Sequence, residues 1–403
     1  MDKDVSRAVP VGAGVVCALV GFTSSFAVVL AGLRAAGADP EQAASGLLAV
    51  SLAMGAASIL LSWRFRMPIT SAWSTPGAAL LISTGAAAGG WPAAVGAFTL
   101  TAVLLLATGL WPTLARAVAR IPHPVAQAML AGVLLPLCIA PVTAVASDPV
   151  VIAPMLVVWL IVAATRPRWA VPAAFGVALL VLAVTLVRDH TVPAGSSWIP
   201  HLQATAPTFT MAAFTGIALP LYIVTMAAQN IPGVAVMAGF GYHVPWRPAL
   251  TVTGVASLLA TPFGGHAVNL AAISAALAAG PDADPNPRRR WIAGVTTGTV
   301  YCALGLASTG LTAAVLAAPP GLVEAVAGVA LLGAFAGACA GAMADESARL
   351  PAAVTLVVAA SGTTVAGIGA AFWALLMGVI VHRLLCRSEQ TRSAGLTHGG
   401  DEQ

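Results

Sequence analysis

Long apolar stretches separated by short polar segments run along almost the whole chain. The first stretch extends from Pro10 to Leu33 and follows nine mostly polar residues. It is longer than the apolar part of a signal peptide, which has about 7–15 residues, and it is long enough to cross a bilayer. We therefore predict that it remains as a membrane-spanning helix and that the later stretches form further spans of an all-α polytopic membrane protein.

Basic side chains divide this pattern into intervals of one helical hairpin each. Of the 18 Lys and Arg residues, sixteen fall at eight positions along the chain, singly or in small clusters, which we call basic stations. The exceptions are Arg34 and Arg188. Cytoplasmic loops carry an excess of Lys and Arg, so the stations should share the cytoplasmic face. The seven intervals then predict fourteen spans with both termini cytoplasmic. The stations are Lys3 and Arg7, Arg64 and Arg66, Arg116 and Arg120, Arg166 and Arg168, Arg247, Arg288 to Arg290, Arg349, and Arg383, Arg387 and Arg392. The predicted spans are 10–33, 44–62, 68–86, 92–114, 124–143, 149–165, 169–187, 208–230, 248–260, 266–280, 291–317, 322–343, 350–361 and 365–383.

Spans three and ten do not read as ordinary helices. Only 33 residues, from Pro248 to Gly280, are available for spans nine and ten, whereas two helices of about 20 residues each would be needed. Their middle is the polar, glycine-rich string from Thr261 to His266, and such backbone is tolerated at membrane depth only where protein or a cavity satisfies it. The string from Pro68 to Leu81 is similar. We predict a short extended strip in each, followed by a half-helix.

The order of these two spans predicts the domain organisation. They are seven spans apart, and a repeat of seven spans places its two copies in opposite orientations, as in many secondary transporters. The predicted units are a first inverted repeat at 1–190, a second at 205–385 and a cytoplasmic tail at 386–403. A stripe of glycines in span twelve, at 333, 337 and 341, fits close helix packing within the monomer or in a homodimer.

The half-helices point to an anionic ligand. If they begin near Pro76 and Gly77 and near Ala267 and Val268, two helix N-termini face one cavity, and such termini bind anions without a full cation. The alternative is that proline and glycine only kink two core helices. In span eight, Gln229 is adjacent to a second amide, and such groups are costly in a membrane unless they pair or face a cavity.

The remaining polar positions are ambiguous. Span one has hydroxyl residues 23–25 between Phe22 and Phe26, which could contact a ring-bearing ligand or bond back onto their own helix. His266 is the histidine that we place within the membrane, where it could carry a proton or serve as a structural cap. No Asp or Glu falls in a predicted span.

Composition excludes several classes of protein. Charged residues are 8% of the 403 residues, against about 25% in a soluble domain, and mean hydropathy is +0.92. The net charge of +4 is spread too thinly for a nucleic-acid surface. The five cysteines show no metal-binding spacing, and no nucleotide-binding or hydrolase motif is present. We therefore expect no metal, no cofactor and no enzyme activity.

Four strings together resemble the BenE-type benzoate/proton symporters, and the likeness covers about residues 8–385. The strings are PITSAWSTPGAAL from Pro68, QNIPG from Gln229, GGHAVNLA from Gly264 and GIGAAFW from Gly367. The resemblance implies the fold of the nucleobase and SLC26-like transporters, with a core domain of spans 1–4 and 8–11 and a gate domain of spans 5–7 and 12–14. It implies an inner-membrane importer of benzoate or a related aromatic acid, driven by protons. Nucleobase carriers of this fold place glutamates where Gln229 and Val268 align, and their absence here fits an acid substrate.

The resulting hypothesis is a secondary transporter that imports an aromatic carboxylate with H⁺ by alternating access. The alternatives are a carrier of another anion or a nucleobase on the same fold and, more remotely, a membrane-embedded enzyme or a sensor. His266 is the candidate for proton coupling. The expected substrate-binding residues are Phe22, Ser24, Phe26, Trp73, Thr75, Gly77, Gln229, Asn230 and Asn269.

Overall fold

The structure is a computed structural model, and it describes residues 8–86, 89–111, 113–114, 116, 121–188, 201–316, 318–365 and 369–397. Lys3, Arg7, Arg120, the Gly367–Ile368 pair and the last six residues of the predicted tail lie outside the described residues.

The described chain is mostly helical, and each predicted span overlaps a helix or a strand followed by a helix. Eight described helical stretches are long and apolar enough to cross a bilayer, and the first of them, Ala8–Ala35, combines two consecutive helices. The elements are α1 (Ala8–Thr23), α2 (Phe26–Ala35), α3 (Pro40–Phe65), β1 (Ser71–Trp73), α4 (Thr75–Thr84), α5 (Gly90–Leu110), α6 (His123–Ser147), α7 (Pro149–Thr165), α8 (Pro167–Arg188), α9 (Met211–Gly239), α10 (Trp246–Ala260), β2 (Val268–Leu270), α11 (Ile273–Ala279), α12 (Trp291–Leu316), α13 (Leu322–Met343), α14 (Arg349–Ala360) and α15 (Ala370–Thr397).

Several helix ends follow from local sequence, whereas others extend past the prediction. Helix α3 begins at a capping box in which the Asp39 side chain accepts from the Gln42 N–H and the Gln42 side chain accepts from the Asp39 N–H. It ends where Arg66 adopts a left-handed conformation, with φ of 52°. Helix α9 continues to residue 239 and α15 to residue 397, beyond the predicted ends at 230 and 383.

Glycines allow the central helices to pack at backbone distance. A Cβ added to Gly55 of α3 would lie 2.6 Å from the Gly298 carbonyl oxygen and 2.5 Å from the Cys302 sulfur, both in α12. Of the glycine stripe in α13, Gly333 and Gly337 have no atom within 4 Å of an added Cβ. Close packing along that stripe within the described chain is therefore absent at these two positions.

The two extended strips pair with each other. Strands β1 and β2 are antiparallel, with Ala72 opposite Asn269 and Trp73 opposite Val268. The helix after β2 begins at Ile273, so the predicted helix start near Ala267 and Val268 was wrong. These residues remain extended because the ladder with β1 satisfies their backbone groups, for example the Ala267 carbonyl, which accepts from the Ser74 N–H.

Two serines support the outer edges of this two-stranded sheet in the same way. The Ser58 hydroxyl of α3 accepts from the Ser71 N–H of β1 at 2.8 Å. The Ser257 hydroxyl of α10 accepts from the Val268 N–H of β2, also at 2.8 Å. Both hydroxyls in turn donate to the carbonyl four residues earlier in their own helices.

Candidate functional site

A cavity lies beside the strand pair, where α1, α3, α4, α9, α11 and α12 meet. Among the residues that the structure describes, neither a basic nor an acidic side chain lines it. Its lining therefore combines apolar surface with neutral hydrogen-bonding groups. The lining residues are Val20, Gly21, Ser24, Ser25, Met54, Ala72, Trp73, Thr75, Gln229, Ala271, Ala272, Ser274 and Tyr301.

Aromatic side chains form one wall of the cavity and the layer behind it. Trp73 lines the cavity, and its ring centroid lies 5.0 Å from that of Phe22. Phe22 in turn packs against Phe26 with centroids 5.4 Å apart. Both phenylalanines are buried and neither is among the lining residues. The structure thus places Trp73 at the surface of the cavity and the predicted pair Phe22 and Phe26 behind it.

The hydroxyl residues where α1 ends and α2 begins donate hydrogen bonds to carbonyls of α1. The Ser24 and Ser25 hydroxyls donate to the Gly21 carbonyl, and the Thr23 hydroxyl donates to the Leu19 carbonyl. The Ser25 hydroxyl also accepts from the Trp73 indole N–H at 2.6 Å. These hydroxyls therefore bond back onto their own helix, as one of the two alternatives predicted. Ser24 and Ser25 also line the cavity.

The N-terminus of α4 offers fewer free amides than its position suggests. Ser74 is the N-cap, and its hydroxyl accepts from the Gly77 N–H at 3.2 Å. Its carbonyl accepts from the Ala78 N–H, and Pro76 has no N–H to offer. Among the described residues, the N–H and the hydroxyl of Thr75 have no hydrogen-bond partner. Thr75, which faces the cavity, is the part of this terminus that a ligand can reach.

A π-helical turn at Met226–Asn230 in α9 contains two adjacent amide side chains, which make different contacts. Asn230 is fully buried, and its side-chain oxygen accepts from the Leu270 N–H of β2 at 2.9 Å. Gln229 lines the cavity, and its amide has no partner among the described residues. Such turns are frequent at functional sites because the extra residue changes which way the neighbouring side chains point. Here one amide supports the sheet and the other remains available to a ligand.

Three further predicted residues lie outside the cavity wall. The Asn269 amide donates to the Leu270 carbonyl at 2.8 Å, and its oxygen is buried without a partner in the described chain. A Cβ added to Gly77 would overlap Leu221 of α9, so this glycine permits close packing of α4 and α9. His266 is fully buried, and its Nε2 donates to the Ser74 carbonyl at 3.1 Å.

Sequence reasoning missed Tyr301, Ser274, Met54 and Gly21, which the fold brings to the cavity from α12, α11, α3 and α1. Tyr301 carried a signal that could have been used, because it is one of three tyrosines and lies within an apolar span. The others are small or apolar residues that nothing in the local sequence distinguishes. Among the described residues, no group of His, Cys, Asp and Glu could hold a metal ion.

A family model described as "Benzoate membrane transport protein" matches residues 4–384. The chain belongs to the BenE family. Among its relatives, the "Inner membrane protein YdcO" of Escherichia coli is 36% identical over 374 residues, covering 93% of this chain and 95% of the relative. The "Benzoate membrane transport protein" of Acinetobacter baylyi is 29% identical over 384 residues, covering 93% and 94%.

Solved structures show which fold this BenE protein shares. The transmembrane domain of the cyanobacterial bicarbonate transporter BicA has a TM-score of 0.59 and 14% identity, with 92% of this chain and 97% of that chain covered. SLC26A9 has a TM-score of 0.62 and 12% identity, with 93% and 65% covered. The BenE protein is thus a multi-pass membrane transporter with an SLC26-like fold, and it is not an enzyme.

Proposed function

We propose that this BenE protein imports benzoate or a related aromatic carboxylate together with protons by alternating access. The observation that carries the proposal is a pair of donors, Thr75 and Gln229, that have no hydrogen-bond partner among the described residues. They lie in a cavity that is bordered by Trp73 and lined by none of the described charged side chains. Neutral donors can hold a carboxylate, whereas an acidic side chain at the same place would repel it. The Acinetobacter baylyi relative, which is named for benzoate transport and is covered over 94% of its length, agrees with this substrate class.

In the proposed complex the carboxylate accepts from the Thr75 N–H and hydroxyl and from the Gln229 amide, while the ring packs on Trp73. Ser24 offers a further hydroxyl at the cavity surface. The remaining predicted residues act from behind this surface. Phe22 and Phe26 support Trp73, Asn230 and Asn269 hold β2, and Gly77 allows α4 to approach α9.

The proposal includes fourteen spans arranged as two inverted repeats, at 1–190 and 205–385. The matching roles of Ser58 and Ser257 support it, because these serines lie in spans two and nine and bond to equivalent strand positions. In this arrangement the core domain contains α1–α5 and α9–α12, and the gate domain contains α6–α8 and α13–α15. All the cavity residues then belong to the core, against which the gate would rock.

We place the protein in the bacterial inner membrane with both termini cytoplasmic. The basic stations support this orientation, and the name of the E. coli relative supports the location. The proposed partners are the aromatic acid, H⁺ and membrane lipid, and a homodimer is part of the same proposal.

Uptake of labelled benzoate into proteoliposomes tests the substrate. With an inward proton gradient, benzoate should accumulate, and collapse of the gradient with a protonophore should abolish the accumulation. Uptake of sulfate, bicarbonate and uracil is measured in the same way, because these compounds represent the other substrate classes proposed for this fold. Transport of one of these without benzoate uptake would contradict the proposal and favour a different anion or a nucleobase.

His266 remains the candidate for proton coupling, and its position defines how it would act. It lies outside the cavity wall, so it would influence the ligand through Ser74, the cap of α4. Its Nδ1 is buried without a partner in the described chain. Protonation there would introduce a charged donor next to the N-terminus of α4, close to Thr75.

We expect His266→Ala to abolish proton-driven accumulation while benzoate exchange between the two sides of the membrane remains measurable. Counterflow in proteoliposomes measures the exchange, and uptake under a gradient measures the accumulation. The matched variant is His266→Gln, which can still donate to the Ser74 carbonyl but does not titrate. Accumulation by this variant would assign His266 a structural role, and accumulation by His266→Ala would remove it from the coupling mechanism.

A further inference from the structure

The cavity has a second set of polar groups, centred on Tyr301 of α12. Its side chain is 1% exposed, yet it lines the cavity. The Ser274 side chain of α11 also lines the cavity, and a Cβ added to Gly21 of α1 would overlap the Tyr301 hydroxyl and lie 3.7 Å from the Ser274 Cβ. The missing side chain of Gly21 therefore makes room for a phenol hydroxyl at the cavity surface.

These groups come from other elements than the carboxylate donors. Thr75 and Gln229 come from α4 and from the π-helical turn of α9, whereas Tyr301 and Ser274 come from α12 and α11. Benzoate has one polar group, the carboxylate, and an unsubstituted ring edge opposite it. If the carboxylate occupies Thr75 and Gln229, benzoate leaves the second polar set facing carbon.

Polar groups that face an apolar ligand surface lose their hydrogen bonds to water without replacement. A site that contains such groups discriminates against ligands that lack a matching partner. A phenol hydroxyl has one donor and two acceptor positions, so Tyr301 can bond with a protein group and still bond with a ligand. The complementary ligand group is a small hydroxyl on the aromatic ring.

We propose that Tyr301 and Ser274 recognise a ring hydroxyl, and that the preferred substrates of this protein are hydroxylated aromatic carboxylates rather than benzoate itself. The inference rests on the proposed function, because it takes the carboxylate position at Thr75 and Gln229 as given. Tyr301 and Ser274 are then the residues that determine specificity, and Gly21 is the residue that positions the Tyr301 hydroxyl.

Equilibrium binding to the purified full-length protein tests this preference. Isothermal titration with benzoate and with 2-, 3- and 4-hydroxybenzoate yields the ratio of each hydroxybenzoate Kd to the benzoate Kd. In the unchanged protein we expect at least one isomer to bind about threefold to tenfold more tightly than benzoate, the range for one added hydrogen bond. Both Tyr301→Phe and Ser274→Ala should bring that ratio close to one.

The matched control is Tyr222→Phe, which removes the hydroxyl of another buried tyrosine that bonds with Thr108 away from the cavity. Its ratios should equal those of the unchanged protein. The preference is overturned if benzoate binds as tightly as all three isomers. It is also overturned if a preferred isomer keeps its advantage in both cavity variants. Failure of the unchanged protein to bind any of the four acids would instead overturn the proposed function.

Discussion

Replacement of Gln229 by glutamate is expected to abolish benzoate uptake. The substitution keeps the shape of the side chain, but it exchanges an amide donor in the cavity wall, which has no partner among the described residues, for a carboxylate. Two like charges about 5 Å apart repel by about 3 kcal/mol at an effective dielectric constant of about 20. This corresponds to a loss of more than about a hundredfold in affinity, in addition to the lost hydrogen bond.

The measurement is benzoate uptake and binding by the Gln229→Glu protein, with Gln229→Ala to separate the lost donor from the added charge. We expect Gln229→Ala to lose about tenfold in affinity, as for one hydrogen bond to a charged group. Lower pH should partly restore binding to Gln229→Glu, because protonation removes the introduced charge. As the pH falls, the benzoate affinity of Gln229→Glu should increase more than that of the unchanged protein.

Gln127→Glu is the matched control for this experiment. Gln127 has the same exposed fraction as Gln229, 9%, but it lies in α6, bonds with His123 and does not line the cavity. Benzoate affinity should be close to normal in this variant. Nearly normal benzoate affinity in Gln229→Glu as well would contradict the assignment of Gln229 to the carboxylate site.

Replacement of Gly55 by valine should strongly reduce the amount of folded protein. A Cβ at this position would lie 2.6 Å from the Gly298 carbonyl oxygen, a backbone atom that no rotamer change can move. The two helices would have to separate along the middle of the helical core. Overpacking of this kind costs about 1–3 kcal/mol and occasionally more, and the branched side chain places it at the upper end.

Thermal unfolding of the detergent-purified protein, together with the yield of its monodisperse fraction, measures this effect. Gly55→Ala should show a smaller decrease in Tm than Gly55→Val. Gly176→Val is the matched control, because Gly176 of α8 has no atom within 4 Å of an added Cβ and its variant should unfold almost normally. Equal Tm values for Gly55→Val and Gly176→Val would show that the α3 and α12 backbones are not in close contact.

The positions of the helices could be predicted well because their signal is local. Removal of apolar side chains from water favours a span wherever the chain offers a long enough apolar stretch. Predicted spans at 149–165 and 322–343 coincide with α7 and α13. The polar string from Pro68 likewise indicated the strip that became β1, whereas β2 formed at Val268–Leu270, where the start of a helix was predicted.

The candidate site could be predicted only in part, as the neighbours Gln229 and Asn230 illustrate. Both amides are unusual in an apolar segment, and this pattern singled out both as ligand-binding residues. Only Gln229 reaches the cavity, because Asn230 bonds with a strand 40 residues further along the chain. Tyr301 stands out as a tyrosine within an apolar span, but only the fold shows that its hydroxyl reaches the cavity, where Gly21 makes room for it.

By itself the sequence determined that this protein lies in a membrane, where most of its spans are and which two of them are irregular, because these properties depend on the transfer of nearby side chains between water and lipid. Tertiary structure alone decided which polar groups are satisfied and which remain free. The Ala267 carbonyl accepts from the Ser74 N–H, and the Ser74 hydroxyl accepts from the Gly77 N–H at the N-terminus of α4. The donors of Thr75 and Gln229 have no partner among the described residues. A hydrogen bond depends on where the partner lies in space, and these partners come from distant parts of the chain.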